Sequence, residues 1–219
     1  MKDLKPTRSL HRLQRLIDEG EHEQQDFKYL ISDARKIARS ISAFANHSGG
    51  RLLIGVKDNG TIAGVRSEED IYMIEQAADL YCSPRVTVDF EAIKASGGAV
   101  VFIATVERAL SRPVSVREAE GKLTAYYRVK DENLAAPPLM VEAWRLAADS
   151  DGLLLKLDDI ETQLIDLIQS NPGIDMQQLA VAAHASARNT RRALVHLLAL
   201  DVIRYHHDGR QFTLIVTEP

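Results

Sequence analysis

The chain of 219 residues has a single cysteine, Cys82, so it can form no internal disulfide and no cysteine-based zinc site. A reducing, cytoplasmic setting is the expectation. No apolar run approaches the roughly 18–20 residues that cross a bilayer. The opening stretch, MKDLKPTRSLHRLQRL, lacks the uninterrupted apolar segment of a secretory signal, so no membrane partner is expected. Charge of one sign is also missing: 27 Lys and Arg stand against 31 Asp and Glu, a formal −4. Such a balance argues weakly against a chain coated in polyanion, because phosphate binding needs basic surface. Two catalytic signatures are absent as well. Gly121-Lys122 is followed by Leu123 with no glycine five positions earlier, which removes the phosphate-cradling loop of nucleotide hydrolases. No G-x-S-x-G element positions a nucleophilic serine.

What is present is a soluble globular composition, 45% apolar and 26% charged, long enough for one large domain or two small ones. The small net charge hides an uneven distribution. Residues 1–16 hold five basic and one acidic side chain, a net +4; residues 149–183 hold one Lys and seven acids, a net −6; residues 184–210 hold five Arg and two Asp, a net +3. An acidic block between two basic ones implies separate surfaces rather than a uniform field.

Apolar periodicity sets the expected elements. Leu10, Leu13 and Ile17 recur at helical spacing over 7–19, with Gly20 as the stop. An extended piece over 25–30 leads to an amphipathic helix over 33–47, striped by Ala34, Ile37, Ala38, Ile41 and Ala45. RLLIGV reads as a buried strand, and Asp58-Asn59-Gly60 as a tight turn into a second strand over 61–65. A helix over 68–81 and strands over 85–93, 99–106 and 123–129 follow. The fold class expected for this part is α+β. Ala135-Ala136-Pro137-Pro138 breaks the pattern, a short helix over 139–148 surrounds Trp144, and Asp149 to Gly152 reads as a linker. Two domains, 1–150 and 151–219, are expected.

The C-terminal module predicts three helices and a hairpin, the order of a winged helix-turn-helix. Asp175 caps the second helix and Ser186 the third, which runs to Leu200; strands over 202–206 and 211–216 meet at Asp208-Gly209. At about 100° per residue, Ala187, Thr190, Leu194, Leu197 and Leu198 face inward, and Arg188, Asn189, Arg192 and His196 face outward. Arginine and asparagine read G and A edges in the major groove, and a helix N-terminus favours phosphate. Arg210 at the hairpin tip completes that set. The competing reading is a solvated helix face in a dimerisation or partner module.

In the first part, Gly20-Glu21-His22-Glu23-Gln24-Gln25-Asp26-Phe27-Lys28, then Ile41-Ser-Ala-Phe-Ala-Asn46-His-Ser-Gly-Gly50, then Leu53-Ile-Gly-Val-Lys-Asp-Asn-Gly60 and Tyr126-Tyr127-Arg128-Val129 follow in order. This series resembles the Schlafen/Alba-like domain (AlbA-2, also divergent AAA-4), over roughly residues 10–138, with a winged helix as a frequent companion. The resemblance implies a mixed sheet with helices that binds nucleic acid, DNA ahead of RNA, in a transcriptional regulator. Arg8, Arg12, Arg15, Lys28 and Arg128 would supply its basic surface. It also implies an alternative: in one branch of the family three carboxylates form a metal-dependent ribonuclease site, and here those positions fall at Glu21, Asp26 and Asp58. Carboxylate oxygens suit Mg²⁺ or Mn²⁺. The sequence departs from the pattern at Asp26, where glutamate is usual, at His47, where threonine is usual, and at Lys57, which sets a positive charge beside Asp58. A homodimer is a further expected partner, and no other cofactor is indicated.

Overall fold

The structure, a computed structural model, describes residues 4–7, 9–149 and 156–217. It divides the chain into two compact units: Met1–Leu110 with Val114–Ala135, and Ser111–Pro113 with Ala136–Pro219.

The first unit is α+β. Its elements are α1 (Leu10–Asp18), β1 (Gln25–Lys28), α2 (Ala34–Asn46), β2 (Gly50–Ile54), α3 (Glu69–Gln76), β3 (Cys82–Ser83), β4 (Val88–Lys94), β5 (Val100–Val106), β6 (Ser115–Arg117), β7 (Leu123–Val129) and β8 (Glu132–Ala135). One sheet has the order β1-β2-β5-β4 and a second β3-β6-β7-β8. β1 runs parallel to β2, which the intervening α2 crossover permits; the other pairs are antiparallel.

The first sheet is covered on both faces, which explains why its central strands are continuous apolar runs. Leu52, Ile54, Phe102 and Ala104 face Ile37, Ile41, Phe44 and Ala45 of α2. Leu53, Val101 and Ile103 pack on the opposite face with Phe27 and with Leu13 and Leu16 of α1. Asp33 starts α2, its carboxylate accepting from the N–H groups of Arg35 and Lys36. Gly50 lets the chain leave α2 directly into β2, because a Cβ there would stand 2.3 Å from the Phe44 ring.

Two polar residues of α2 hold the second sheet. Asn46 Nδ2 donates to the carbonyls of Val114 (2.8 Å) and Tyr126 (2.9 Å), and its Oδ1 accepts from Val114 N–H at 2.8 Å. Ser42 Oγ donates to the Val114 carbonyl at 2.8 Å and accepts from Tyr126 N–H at 3.1 Å. A buried amide satisfied on both ends fixes register where apolar packing alone would not.

One expectation fails here and one is met in altered form. The strand over 61–65 does not form; only an isolated bridge joins Val56 and Ile62, because the segment turns back through glycines onto the end of β2. The helix over 68–81 ends at Gln76 and widens into a π-helical turn over Ala77–Tyr81.

The second unit contains α4 (Pro138–Asp149), α5 (Asp159–Ser170), α6 (Met176–Ala182) and α7 (Ala187–Ala199), then β9 (Ile203–His207) and β10 (Phe212–Val216) as an antiparallel hairpin. Capping boxes start α5 (Asp158 with Glu161) and α6 (Asp175 with Gln178), and Ser186 Oγ accepts from Asn189 N–H at the start of α7. Leu139, Leu164, Ile168, Leu179, Leu194, Leu197, Ile203 and Leu214 form its core. α4, on the near side of a boundary drawn at 150, packs with this unit through Leu139.

Candidate nucleic-acid interface

The family-like carboxylates lie around the edge strand β1. Asp26 is buried, 4% exposed. Lys28, two residues on and therefore on the same face of the strand, brings Nζ to 2.8 Å from its Oδ2. Arg128 of β7 brings Nη2 to 3.7 Å from Oδ1. Glu21 precedes the strand, and its Oε1 accepts from Phe27 N–H at 2.8 Å. Burial pushes the Glu21 carboxyl up to about 7, its hydrogen bond with Asp26 adds to that, and the Phe27 N–H and Lys28 oppose it.

Arg128 is itself 1% exposed. Nη1 donates to Asn133 Oδ1 (2.9 Å), Nη2 donates to the carbonyls of His22 (3.3 Å) and Gln25 (3.2 Å), and the guanidinium lies 5.1 Å from the centre of the Phe44 ring. Burial lowers its pKa, while Asp26, Glu21 and Asp131 raise it. This arginine braces β1 against β7 from inside. It is a correction to the expectation that Arg128 presents a surface cation to nucleic acid: a side chain with no exposed face reaches no phosphate.

Asp58 does not join the pair. It is exposed in the turn after β2, which Gly60 N–H closes onto the Lys57 carbonyl at 2.8 Å. The turn is shaped by Asn59, whose Oδ1 accepts from Thr61 N–H, and not by the aspartate. Among the described residues no three His, Cys, Asp or Glu side chains gather to hold a metal ion. The donor set is a poor fit in its own right. Mg²⁺ or Mn²⁺ needs deprotonated, uncommitted oxygens, whereas Asp26 already faces Lys28 and Arg128, and Glu21 is pushed up to about 7 by burial with one oxygen accepting from the Phe27 N–H. The three-carboxylate metal site expected from Glu21, Asp26 and Asp58 is therefore not assembled. Beside the pair a cleft of about 420 Å³ is lined by Glu21, His22, His47, Ser48 and Lys130.

The remaining basic residues of the first unit divide. Arg8 lies outside the described residues. Arg12 is ion-paired with Glu91. Arg15 is exposed on α1. Lys28 is held by Asp26 and by the Phe27 carbonyl at 2.9 Å.

In the second unit, α7 buries Thr190, Ala193, Leu194 and Leu197 and exposes Arg188, Asn189 and Arg192. The Arg192 side chain is 71% exposed and lies 3.6 Å from Asp158 Oδ2. His196 departs from the expected outward set: its Nδ1 is 2.5 Å from Glu161 Oε1, at the base of α5. Arg191 is paired with Glu142 of α4. Along this flank of α7 runs a cleft of about 690 Å³, its lining including Leu146, Lys156, Arg188, Arg192 and Val195. Arg210 is exposed at the β9–β10 turn. Asp208 shapes that turn by accepting from the N–H groups of Arg210 and Gln211, which hold its carboxyl below the ordinary range.

Residues 21–137 match the family model described as Schlafen, AlbA_2. The chain belongs to this family. The Schlafen AlbA_2 match begins at Glu21, the first of the paired carboxylates, and takes in β1 to β8, so α1 and the chain from α4 onward lie outside it. Among curated proteins none matches the chain. Of solved structures, the DIP2311 protein from Corynebacterium diphtheriae is similar at 17% identity and a TM-score of 0.42, covering 87% of this chain and 34% of that one. The N-terminal domain of a protein from Nitrosomonas europaea, related to the ATP-dependent DNA helicase RecG, is similar at 16% identity and a TM-score of 0.38, covering 69% and 98%. The chain thus spans about a third of the Corynebacterium protein's length.

Two cations meet near the end of β1 that the sequence does not pair: Lys57 stands out there only as a charge beside Asp58, and Arg66 not at all. Their signal was present in the glycines at 55 and 64, which bring distant loop positions together.

Proposed function

We propose that this member of the Schlafen AlbA_2 family is a nucleic-acid-binding protein, a DNA-binding regulator whose second unit acts as a winged helix-turn-helix. The observation that carries the reading is α7: it is capped by Ser186, packed through one face, and displays Arg188, Asn189 and Arg192 on the other, beside a hairpin whose turn displays Arg210. That is the side-chain chemistry of major-groove readout plus a backbone contact from the wing. Arg192 meets Asp158 across an exposed 3.6 Å gap. Such pairs are worth about 0–1 kcal/mol, so a phosphate can replace the carboxylate at little cost.

Titration of duplex DNA into the full chain over a series of salt concentrations tests this. Each phosphate contact contributes about 0.9 to the slope of log affinity against log salt. The double variant Arg188→Ala/Arg192→Ala is expected to weaken binding by at least tenfold and to flatten the slope by about 2. Salt-independent binding, or affinity unchanged in the variant, would overturn the reading. A catalytic reading finds no support in the donor set at Glu21 and Asp26.

A further inference from the structure

Two loops of the first unit are pressed together beside the end of β1. Gly55 follows β2 and donates its N–H to the Lys28 carbonyl at 2.8 Å; its own carbonyl accepts from the N–H groups of Ala63 and Gly64, both at 2.9 Å. Gly55 has φ +92°, and a Cβ on it would stand 2.7 Å from the Gly64 carbonyl carbon. No other residue type tolerates both the left-handed backbone and that approach. Lys57 leaves this junction from one loop and Arg66 from the other.

Both side chains converge on Tyr29, immediately after β1. Lys57 Nζ is 5.3 Å and Arg66 Cζ 5.8 Å from the centre of its ring. Arg66 Nη2 also donates to Tyr29 Oη at 3.0 Å. Lys57 and Arg66 are exposed, Tyr29 is half-buried, and the neighbouring Leu30 is 42% exposed. Among the described residues neither cation makes an ion pair. Arg12, Lys28, Arg39 and Arg51 of the same unit each have a carboxylate partner. Two uncompensated positive charges are therefore held against one aromatic ring by a backbone junction that fixes their spacing.

An anion with a flat apolar part satisfies every element of this arrangement. In a duplex the bases are stacked inside and present no face to a tyrosine; in a single strand they are free to stack while phosphates reach the cations. We propose that Tyr29, Lys57 and Arg66 form a docking site for single-stranded nucleic acid, the two cations holding backbone phosphate and the tyrosine ring taking a base. The site rests on the nucleic-acid reading above but lies on the other unit, and none of its residues contributes to α7.

The test uses the full chain and labelled oligothymidylate and oligouridylate of about 12 nucleotides, within the range one such surface occupies, beside a duplex probe. Lys57→Glu/Arg66→Glu is expected to weaken single-strand binding at least tenfold and to flatten its salt slope by about 1.4, two phosphates' worth for single strands. Tyr29→Ala should weaken it about tenfold, and Tyr29→Phe, which keeps the ring, should restore most of that loss. Arg188→Ala/Arg192→Ala should weaken duplex binding and spare the single strand. The oligothymidylate and oligouridylate arms separate DNA from RNA. Single-strand affinity unchanged in Lys57→Glu/Arg66→Glu, or lost only in the α7 variant, overturns this site and leaves the α7 reading standing. A wild-type chain that binds no probe overturns both. All three side chains sit outside the core, so circular dichroism of the variants should match the wild type.

Discussion

Arginine does opposite work in the two units. In the first, Arg128 is 1% exposed and ties β7 to the carbonyls and carboxylates around β1. In the second, Arg188 and Arg192 stand on the outer face of α7, with packing left to Thr190, Ala193, Leu194 and Leu197. A buried guanidinium is bound to its partners by desolvation, because removing it strands their charges in a poor solvent. An exposed guanidinium is held by nothing of comparable strength and is available to a ligand. The same residue type is thus a structural brace where water is excluded and a recognition element where it is not. Family-like motif position does not distinguish the two; burial does.

The largest effect that would break this contrast is at Arg128. Arg128→Ala leaves Asp26 without its buried guanidinium and removes partners from Asn133 and from the His22 and Gln25 carbonyls. A loss of about 3–5 kcal/mol is expected, read as a lowered midpoint in urea unfolding followed by circular dichroism. Arg128→Lys keeps the charge but cannot form the fork, so it should recover only part of the loss. A variant within about 0.5 kcal/mol of wild type would mean that the buried cation is no brace.

Much of this architecture was legible. The apolar spacing of α2 and the run at β2 announce a helix on a two-sided sheet, and both formed within a residue or two of expectation. The short strands β3, β6 and β8 were not legible, because they form only by pairing within a sheet whose β7 and Val114 are held by Ser42 and Asn46 from some 70–80 positions away. The pattern of α4 says that it buries a face but not against what, and its partner proved to be the second unit. Of the candidate site, the nearness of Glu21 and Asp26 was implied by the family resemblance, and the exposure of Arg188, Asn189 and Arg192 was readable from helical spacing. Arg128 was misread because arginine is rarely fully buried, and Lys57 and Arg66 because their meeting at Tyr29 is made by the Gly55–Gly64 contact.

A middle-sized effect sharpens the picture of the carboxylates that Arg128 serves. The Glu21 carboxyl sits at about 7 in the folded chain against an ordinary 4.5. Between those pH values the folded state binds more proton than the unfolded state, so the stability contributed here is complete below pH 4.5. It falls as pH rises and is gone above 7. For a half-buried group, solvent screening reduces the effect to about 1 kcal/mol. Glu21→Gln keeps an acceptor for the Phe27 N–H and stays neutral at every pH. Its stability relative to wild type should therefore climb by about 1 kcal/mol between pH 4.5 and 8, measured by thermal or urea unfolding. Parallel pH curves for the two proteins would show that Glu21 titrates as an ordinary carboxylate.

The smallest effect is the most discriminating for the comparison. Arg188→Ala/Arg192→Ala removes two large side chains, yet the unfolding free energy should change by less than about 0.5 kcal/mol. Arg192 loses only an exposed contact with Asp158, whose own side chain is 48% exposed. The N-cap of α7 is Ser186 and its buried face is untouched. Alanine's better helix propensity offsets part of whatever is lost. The same variant is the one expected to weaken duplex binding, so stability and binding should separate cleanly in unit two as they cannot for Arg128. A loss above about 1 kcal/mol, reversed by high salt, would place these arginines in a surface ion network with Asp158 and Glu142. They would then be braces as well, and the division of labour between the two units would collapse.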